Sequence, residues 1–429
     1  MAVKFRFRPF YFATLFLALS LPQAHALVSS EVTLSSGYYQ DYEGEHQVPV
    51  FLYWTLNYTG KSGVEAYFDM GFNNQLLIDQ WGYFLYQAYV TVPFSQGFAS
   101  APYRRSRIQV GRQFLSDGFE LTLLDGVQLP VYWSQNGGAN LIAGGSYAID
   151  EKRFDFSSRL YGGTLHQKIL GAKWQAGYFQ KQRRFEAEND GDAESSASEG
   201  LAHASLFKSY EDTFLKPSFL LKGQWKLSGA QNEGLSDLYQ GYGELLVTPL
   251  NTVTLGTSYS KRKPSELDPA ETTFVYRLFA VSPQKTASGF ITWSPNQDLR
   301  FSTKFRRTQF DSPEKLETAN EQELDISWLH GKSSWMPSIF RLKSYGGEVW
   351  QPALAYRHSL SDAAGLRAEV AAAHIEKLNG IESWAYHSRA GVDVRLAPRL
   401  LTLALVEVER NHRFELDARA VAFLTYYLF

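Results

Sequence analysis

The sequence predicts an all-β fold: a single transmembrane antiparallel β-barrel of about 20 strands (18–22), preceded by a short leader. Three observations carry this prediction. Apolar and polar residues alternate with period two along nearly the whole chain. The connections between alternating segments switch between tight and long, polar forms. No apolar stretch after the leader reaches the roughly 20 residues that a membrane-spanning helix requires.

The first element is a leader. Lys4, Arg6 and Arg8 form a basic start, Phe10 to Leu21 is an apolar run too short to span a bilayer, and Ala24-His25-Ala26 is a small-x-small cleavage site. Residues 1–26 are therefore expected to be a signal peptide, and residues 27–429 the barrel, with the mature chain starting near Leu27. Alternation then begins almost at once, with Val32, Leu34, Ser36 and Tyr38 in phase. This leaves no room for an N-terminal plug domain, so the expected barrel encloses water.

The strands that follow are read in the same way. Val50-Leu52-Trp54-Leu56-Tyr58 alternates with Phe51-Tyr53-Thr55-Asn57, and Val64-Ala66-Phe68-Met70-Phe72 with Glu65-Tyr67-Asp69. Pro217-Phe219-Leu221 and Trp225-Leu227 oppose Lys222, Gln224 and Lys226; Leu299-Phe301-Thr303-Phe305 opposes Arg300-Ser302-Lys304-Arg306; Ala390-Val392-Val394-Leu396 opposes Arg389, Asp393 and Arg395. A half-buried soluble sheet shows the same alternation. The distinguishing fact is that the chain holds no clear helical segment to cover a sheet face. The least distinct strands lie between Phe274 and Gln284 and between Leu324 and Lys343.

Tight links are expected at 248–251, 295–298, 361–365 and 397–399, and long polar ones at 41–47, 186–200, 229–237, 263–271 and 311–321. Grouping the tight links at one end makes the strand number even. A spacing of roughly 20 residues per strand and connection gives about 20 strands.

Composition excludes several classes. The chain has no cysteine, so it has neither disulfides nor Cys-based metal sites. Its net charge of −2 offers no electrostatic attraction to nucleic acid. The His residues are scattered, and neither H-E-x-x-H nor G-x-S-x-G occurs, so no catalysis, cofactor or metal is expected. The acidic run Glu186 to Glu194 departs from EF-hand spacing and reads as a solvated loop. The aromatic content of 30 Phe, 25 Tyr and 10 Trp fits two interfacial girdles.

The chain ends on Ala-Val-Ala-Phe-Leu-Thr-Tyr-Tyr-Leu-Phe429, with Val421, Phe423, Tyr427 and Phe429 in phase. This ending resembles the assembly signal of Gram-negative outer-membrane barrels. The resemblance implies an outer-membrane location, with lipid and the barrel assembly machinery as partners, and Phe423, Tyr427 and Phe429 as the signal. Leu416, Ala418, Ala420 and Ala422 form an apolar set of opposite phase, so a bulge near Val421 is expected to re-phase the strand. Upstream, Gly111-Arg112-Gln113 followed by Asp125-Gly126-Val127 resembles alginate-export-type and other substrate-porin barrels over about a tenth of the chain.

Charges on the lipid side of a barrel cost about 2–4 kcal/mol at the midplane, so the polar parity should face the lumen. Candidate pore-lining residues are Arg107, Lys222, Lys226, Glu244, Lys304, Arg306, Arg389, Asp393 and Arg395, within a set that also holds Glu65, Asp69, Gln87, Gln109, Lys173, Gln224, Arg367 and Glu369. Arg112 and Asp125 are candidates for a constriction or for a strand-strand clamp. Arg112 shares the parity of the apolar Ile108 and Val110, so it turns inward only if Gly111 marks a bulge or the strand ends there. The function that follows is a channel for small hydrophilic solutes or one specific substrate. The alternative is a barrel sheath around a luminal partner, either a secreted polymer or an electron-transfer cytochrome. An enzyme is the third reading.

Overall fold

A computed structural model describes residues 27–40, 46–60, 62–75, 80–95, 105–117, 120–147, 158–185, 195–228, 238–263, 284–311, 316–344, 347–377, 382–410 and 416–428. Alternating side chains put one parity on each face of an extended segment, and such a segment can bury its backbone polar groups in lipid only by pairing on both edges. Every strand but one short extension does so. In chain order they are β1 (Leu27–Gln40), β2 (His46–Gln47), β3 (Pro49–Thr59), β4 (Glu65–Gln75), β5 (Gln80–Pro93), β6 (Arg107–Asp117), β7 (Glu120–Ser134) and β8 (Gly137–Tyr147). There follow β9 (Arg159–Ile169), β10 (Ala172–Phe185), β11 (Ser195–Ser209), β12 (Ser218–Ser228), β13 (Leu238–Leu250), β14 (Val253–Arg262), β15 (Gln284–Trp293) and β16 (Leu299–Asp311). The last are β17 (Leu316–His330), β18 (Ser333–Ser344), β19 (Gly347–Ser361), β20 (Ala364–Lys377), β21 (Glu382–Ala397), β22 (Leu400–Arg410) and β23 (Asp417–Tyr427).

The two-residue β2 only extends the pairing of β1. The other strands pair antiparallel with their sequence neighbours, and β23 pairs with β1, which closes a 22-strand barrel. The seam runs from Glu31↔Tyr427 to Tyr38↔Ala420. It is tied by the Thr33 and Thr425 hydroxyls at 2.9 Å and by the Leu428 N–H donating to the Ser30 carbonyl at 2.8 Å. The strand number lies at the top of the expected range, and among the described residues no helix occurs.

The turns at Asn251–Thr252, Pro295–Asp298, Asp362–Ala363 and Pro398–Arg399 lie at the same end of the barrel as Leu27 and Leu428. Two long loops are shorter than expected: residues 195–200 belong to β11 and residues 316–321 to β17, where the backbone continues the ladder with β10 and β16. The indistinct region 324–343 resolves into β17 and β18 around a turn at Gly331–Lys332. Residues 264–283 lie outside the described residues, as do the leader, the acidic run 186–194 and Phe429.

The outer face is defined by its exposed apolar side chains, among them Leu221, Leu245, Tyr259, Ile291, Phe305, Leu324, Ile339 and Val406. Aromatic residues gather toward both ends of this face. Near the terminus end Trp293 stacks on Phe301 at 5.3 Å between centroids, and Trp335 lies against Tyr356 at 4.3 Å. Toward the loop end Trp350 lies under the Arg341 guanidinium at 4.7 Å, and His374 meets Trp384 at 4.8 Å. Trp350 and Tyr356 share the outer face of β19, with Pro352 and Leu354 between them. Six residues at ~3.3 Å span about 20 Å along the strand, or roughly 15 Å along the barrel axis at ~40° tilt, so both aromatic groups fit within the height of a barrel's apolar band.

The expected bulge near Val421 is not there. The registers of β23 with both β22 and β1 run without a shift. Ala418, Ala420, Ala422, Leu424 and Tyr426 form the outward set, and Val421, Phe423, Thr425 and Tyr427 share the face of Ser35 and Arg419.

Candidate functional site

The face opposite the apolar one carries a ladder of ion pairs between neighbouring strands. Arg306 Nη1 of β16 lies 3.2 Å from Glu321 Oε2 of β17, and Lys304 stands opposite Glu323. Arg367 of β20 reaches Asp393 of β21 at 2.7 Å. Arg389 of β21 bonds Glu369 on one side and lies 3.7 Å from Glu407 of β22 on the other. Arg419 of β23 holds Asp417 at 2.6 Å and Glu409 at 3.6 Å. On β12, Lys226 is 3.4 Å from Glu199 of β11. A closed barrel has one inner face, and the charged face has the lower exposure of the two along most strands, so it is the concave one.

Among the remaining candidates, Lys222 stands between Ser205 and Tyr242, and Glu244 accepts a hydrogen bond from the Tyr242 hydroxyl. Arg107 sits opposite Pro93 near the terminus end, and Arg395 is exposed beside the Pro398–Arg399 turn. The partners Glu199, Glu321, Glu323, Glu407, Glu409, Asp417 and Arg419 are not among the candidates that parity alone singles out. With them included, the basic excess of the nine pore-lining candidates is cancelled. The signal was present in the sequence as charges on alternate positions, but opposing them requires the register.

The second feature is a corner where the ladder forks. β5 and β6 pair only as far as Ala88↔Arg112, whereas β6 stays paired with β7 through Asp117↔Glu120. Beyond Arg112 the hairpin of β6 and β7 thus leaves β5, while β5 continues alone with β4. Gly111 sits at the departure point with φ +129°, a conformation that disfavours any side chain. A Cβ there would overlap the Ala88 carbonyl oxygen, and one at the paired Gly126 would overlap the Ala143 carbonyl. Gly111 is not a register bulge, since its pairing with β7 has no shift, and β6 does not end there.

The Arg112 side chain spans the fork. Its Nε and Nη2 donate to Asp125 Oδ1 and Oδ2 at 2.7 and 2.6 Å, and its Nη1 donates to the Leu85 carbonyl of β5 at 3.1 Å. Both charged side chains are 6% exposed. Burial here covers consecutive residues: Arg112 with Gln113, and Leu123, Leu124 and Asp125 together. Consecutive strand residues point to opposite faces, so this corner is enclosed on both sides and Arg112 does not face lipid. A bidentate pair with a third bond to a carbonyl is the arrangement that makes a buried guanidinium tolerable.

Next to the fork the concave face changes character. Leu115, Leu124, Ile142, Leu160 and Phe179 form a buried apolar cluster there. Below it Phe179 stacks on His203 at 5.1 Å, and His203 reaches Thr164 at 3.4 Å across Gly177, which has no side chain to intervene.

Among solved structures the chain is similar to the P pilus usher (PapC) translocation pore, with a TM-score of 0.51 and 9% identity over 94% of this chain and 99% of that one. It also aligns with two Pseudomonas aeruginosa proteins. These are OccK3 (OpdO), at TM-score 0.44 and 12% identity over 94% and 95% of the chains, and OccK2 (OpdF) in complex with glucuronate, at 0.47 and 10% over 94% and 98%. No protein-family model matches, and no curated protein matches. At these identities the likeness is one of fold. These likenesses do not show the resemblance to alginate-export-type barrels.

Proposed function

We propose that the protein is an outer-membrane channel, inserted after loss of residues 1–26, whose charged concave face lines a path for small hydrophilic solutes. The observation that carries this reading is the ladder of ion pairs on the inner wall. Such a wall is stable only against water or a polar occupant, since ionised side chains facing hydrocarbon are costly. Pore-lining roles fall to Lys222, Lys226, Glu244, Lys304, Arg306, Arg389 and Asp393, with Arg107 and Arg395 toward the terminus end. The role of Arg112 and Asp125 is to hold the β6–β7 hairpin against β5, which fixes the outline of the lumen beside the apolar cluster.

Width supports a second reading, a sheath for a polymer or protein passing through the barrel. Twenty-two strands at ~4.8 Å and ~40° tilt give a diameter on the order of 40 Å between backbones. Liposome swelling separates the two readings. Barrels purified free of other proteins should admit small sugars, with rates falling as solute size grows. Folded, inserted barrels that leave the liposomes tight would favour the sheath.

A further inference from the structure

The inner wall of β3, β4 and β5 differs from the rest of the lumen. Leu52, Trp54 and Leu56, then Phe68 and Met70, then Tyr83 and Val90 lie on the outer face of these strands. The opposite parity continues the luminal face of β23, since Thr425, Thr33 and Tyr53 stand in one row. It carries six aromatic rings: Phe51 and Tyr53 of β3, Tyr67 of β4, and Phe84, Tyr86 and Tyr89 of β5. Tyr86 joins this face because the register of β4 and β5 shifts beside Asp69 and leaves it as the extra residue of a bulge, which re-aims its side chain. The bare Gly71 makes room for the rings: a Cβ there would lie 3.1 Å from Tyr86 and 3.5 Å from Tyr53.

The rings frame a polar row in which Thr55, Asp69 and Gln87 oppose one another across the three strands. One row toward the loop end stand Tyr53, Phe84 and Tyr86; one row toward the terminus end Tyr67 faces Tyr89, with centroids 5.4 Å apart. Successive rows lie about 7 Å apart along a strand, so a cation held at Asp69 stands between two tiers of rings, near the ~6 Å over which a ring attracts it. Asp69 is half-buried and accepts a hydrogen bond from the Thr55 hydroxyl at 3.5 Å. The three strands contain no Lys or Arg, and among the described residues no cation pairs with Asp69. Arg107 of the next strand stands opposite Pro93, six residues below Gln87 and about 20 Å away along the strand. The charged ladder differs, because there Glu321, Glu369, Asp393 and Glu407 each meet an arginine.

We propose that Asp69 with Tyr53, Tyr67, Tyr86 and Tyr89 binds a small organic cation, an alkylated ammonium, in the lumen; this rests on the reading that solutes enter the barrel. Asp69 supplies the countercharge, and the electron-rich ring faces attract the methylated head. A neutral solute leaves the Asp69 charge uncompensated, and an anion is repelled by it. Exposed aromatic patches mark binding surfaces, and Tyr53 is exposed in this one.

Proton NMR tests this, with choline and its neutral carbon isostere, dimethylbutanol, titrated into the detergent-folded barrel. Ring currents should move the N-methyl signal of choline upfield, and the wild type should bind choline about tenfold more tightly than the isostere. Asp69→Asn should weaken choline binding about three- to fivefold, the worth of a partly exposed ion pair. Tyr67→Leu/Tyr89→Leu should weaken it about tenfold, and Tyr67→Phe/Tyr89→Phe should keep it. Heat-modifiable gel migration verifies that each variant is folded. Equal binding of choline and the isostere, undiminished binding in the folded Asp69→Asn variant, or binding of maltose in preference to choline overturns the site. A barrel that conducts ions yet ignores choline overturns the site alone. One that binds choline without conducting overturns the channel reading alone.

Discussion

Replacing Arg112 with Met should be among the most damaging single changes in the wall. The side chain gives up two charged hydrogen bonds to Asp125, at 2.7 and 2.6 Å, and one to the Leu85 carbonyl at 3.1 Å. Asp125 is left 6% exposed with no cation beside it. Removing one partner of a buried pair costs about 3–5 kcal/mol, whereas exchanging both for apolar groups of similar volume is often neutral. The double variant Arg112→Met/Asp125→Leu should therefore recover most of the loss and remain within about 1–2 kcal/mol of wild type, the residue being the orphaned Leu85 carbonyl. Urea unfolding of the barrel in lipid vesicles, read by tryptophan fluorescence and gel mobility, measures both. A single variant as stable as wild type, or a double variant as unstable as the single, would refute the view that this pair clamps the fork.

Two further outcomes follow from the same structure. Phe429→Asp should lower the amount of folded barrel in the outer membrane, measured by fractionation and heat-modifiable migration; normal assembly would count against the terminal signal. Neutralising Lys222, Lys226, Lys304 and Arg306 together leaves Glu199, Glu321 and Glu323 without the cations beside them and should turn the pore toward cations, read as a shift in reversal potential across a salt gradient.

Much of the fold could be read from the sequence because alternation is a local property. The strand at 299–306 has one apolar and one charged parity, and the structure keeps those parities on opposite faces. The tight links were legible for the same reason, as short-range turn chemistry. Register was not legible. Glu321 looked like the edge of a polar loop, yet it is a strand residue opposite Arg306. The terminal strand shows a different limit: its aromatic parity drew the eye, but the small residues Ala418, Ala420 and Ala422 form its outward face with no bulge. At Arg112 the parity rule placed a charge toward lipid. The resolution is a departure of β6 from β5, a non-local event that the sequence marks only by Gly111.

The closed 22-strand wall is proposed to enclose a water-filled path. Single-channel recording in planar lipid bilayers tests it most directly, using barrels purified to homogeneity and shown to be folded. A water-filled path gives discrete, stepwise conductance increments with each insertion, and a conductance that rises with bulk salt. Insertion of folded barrels without any conductance would contradict it.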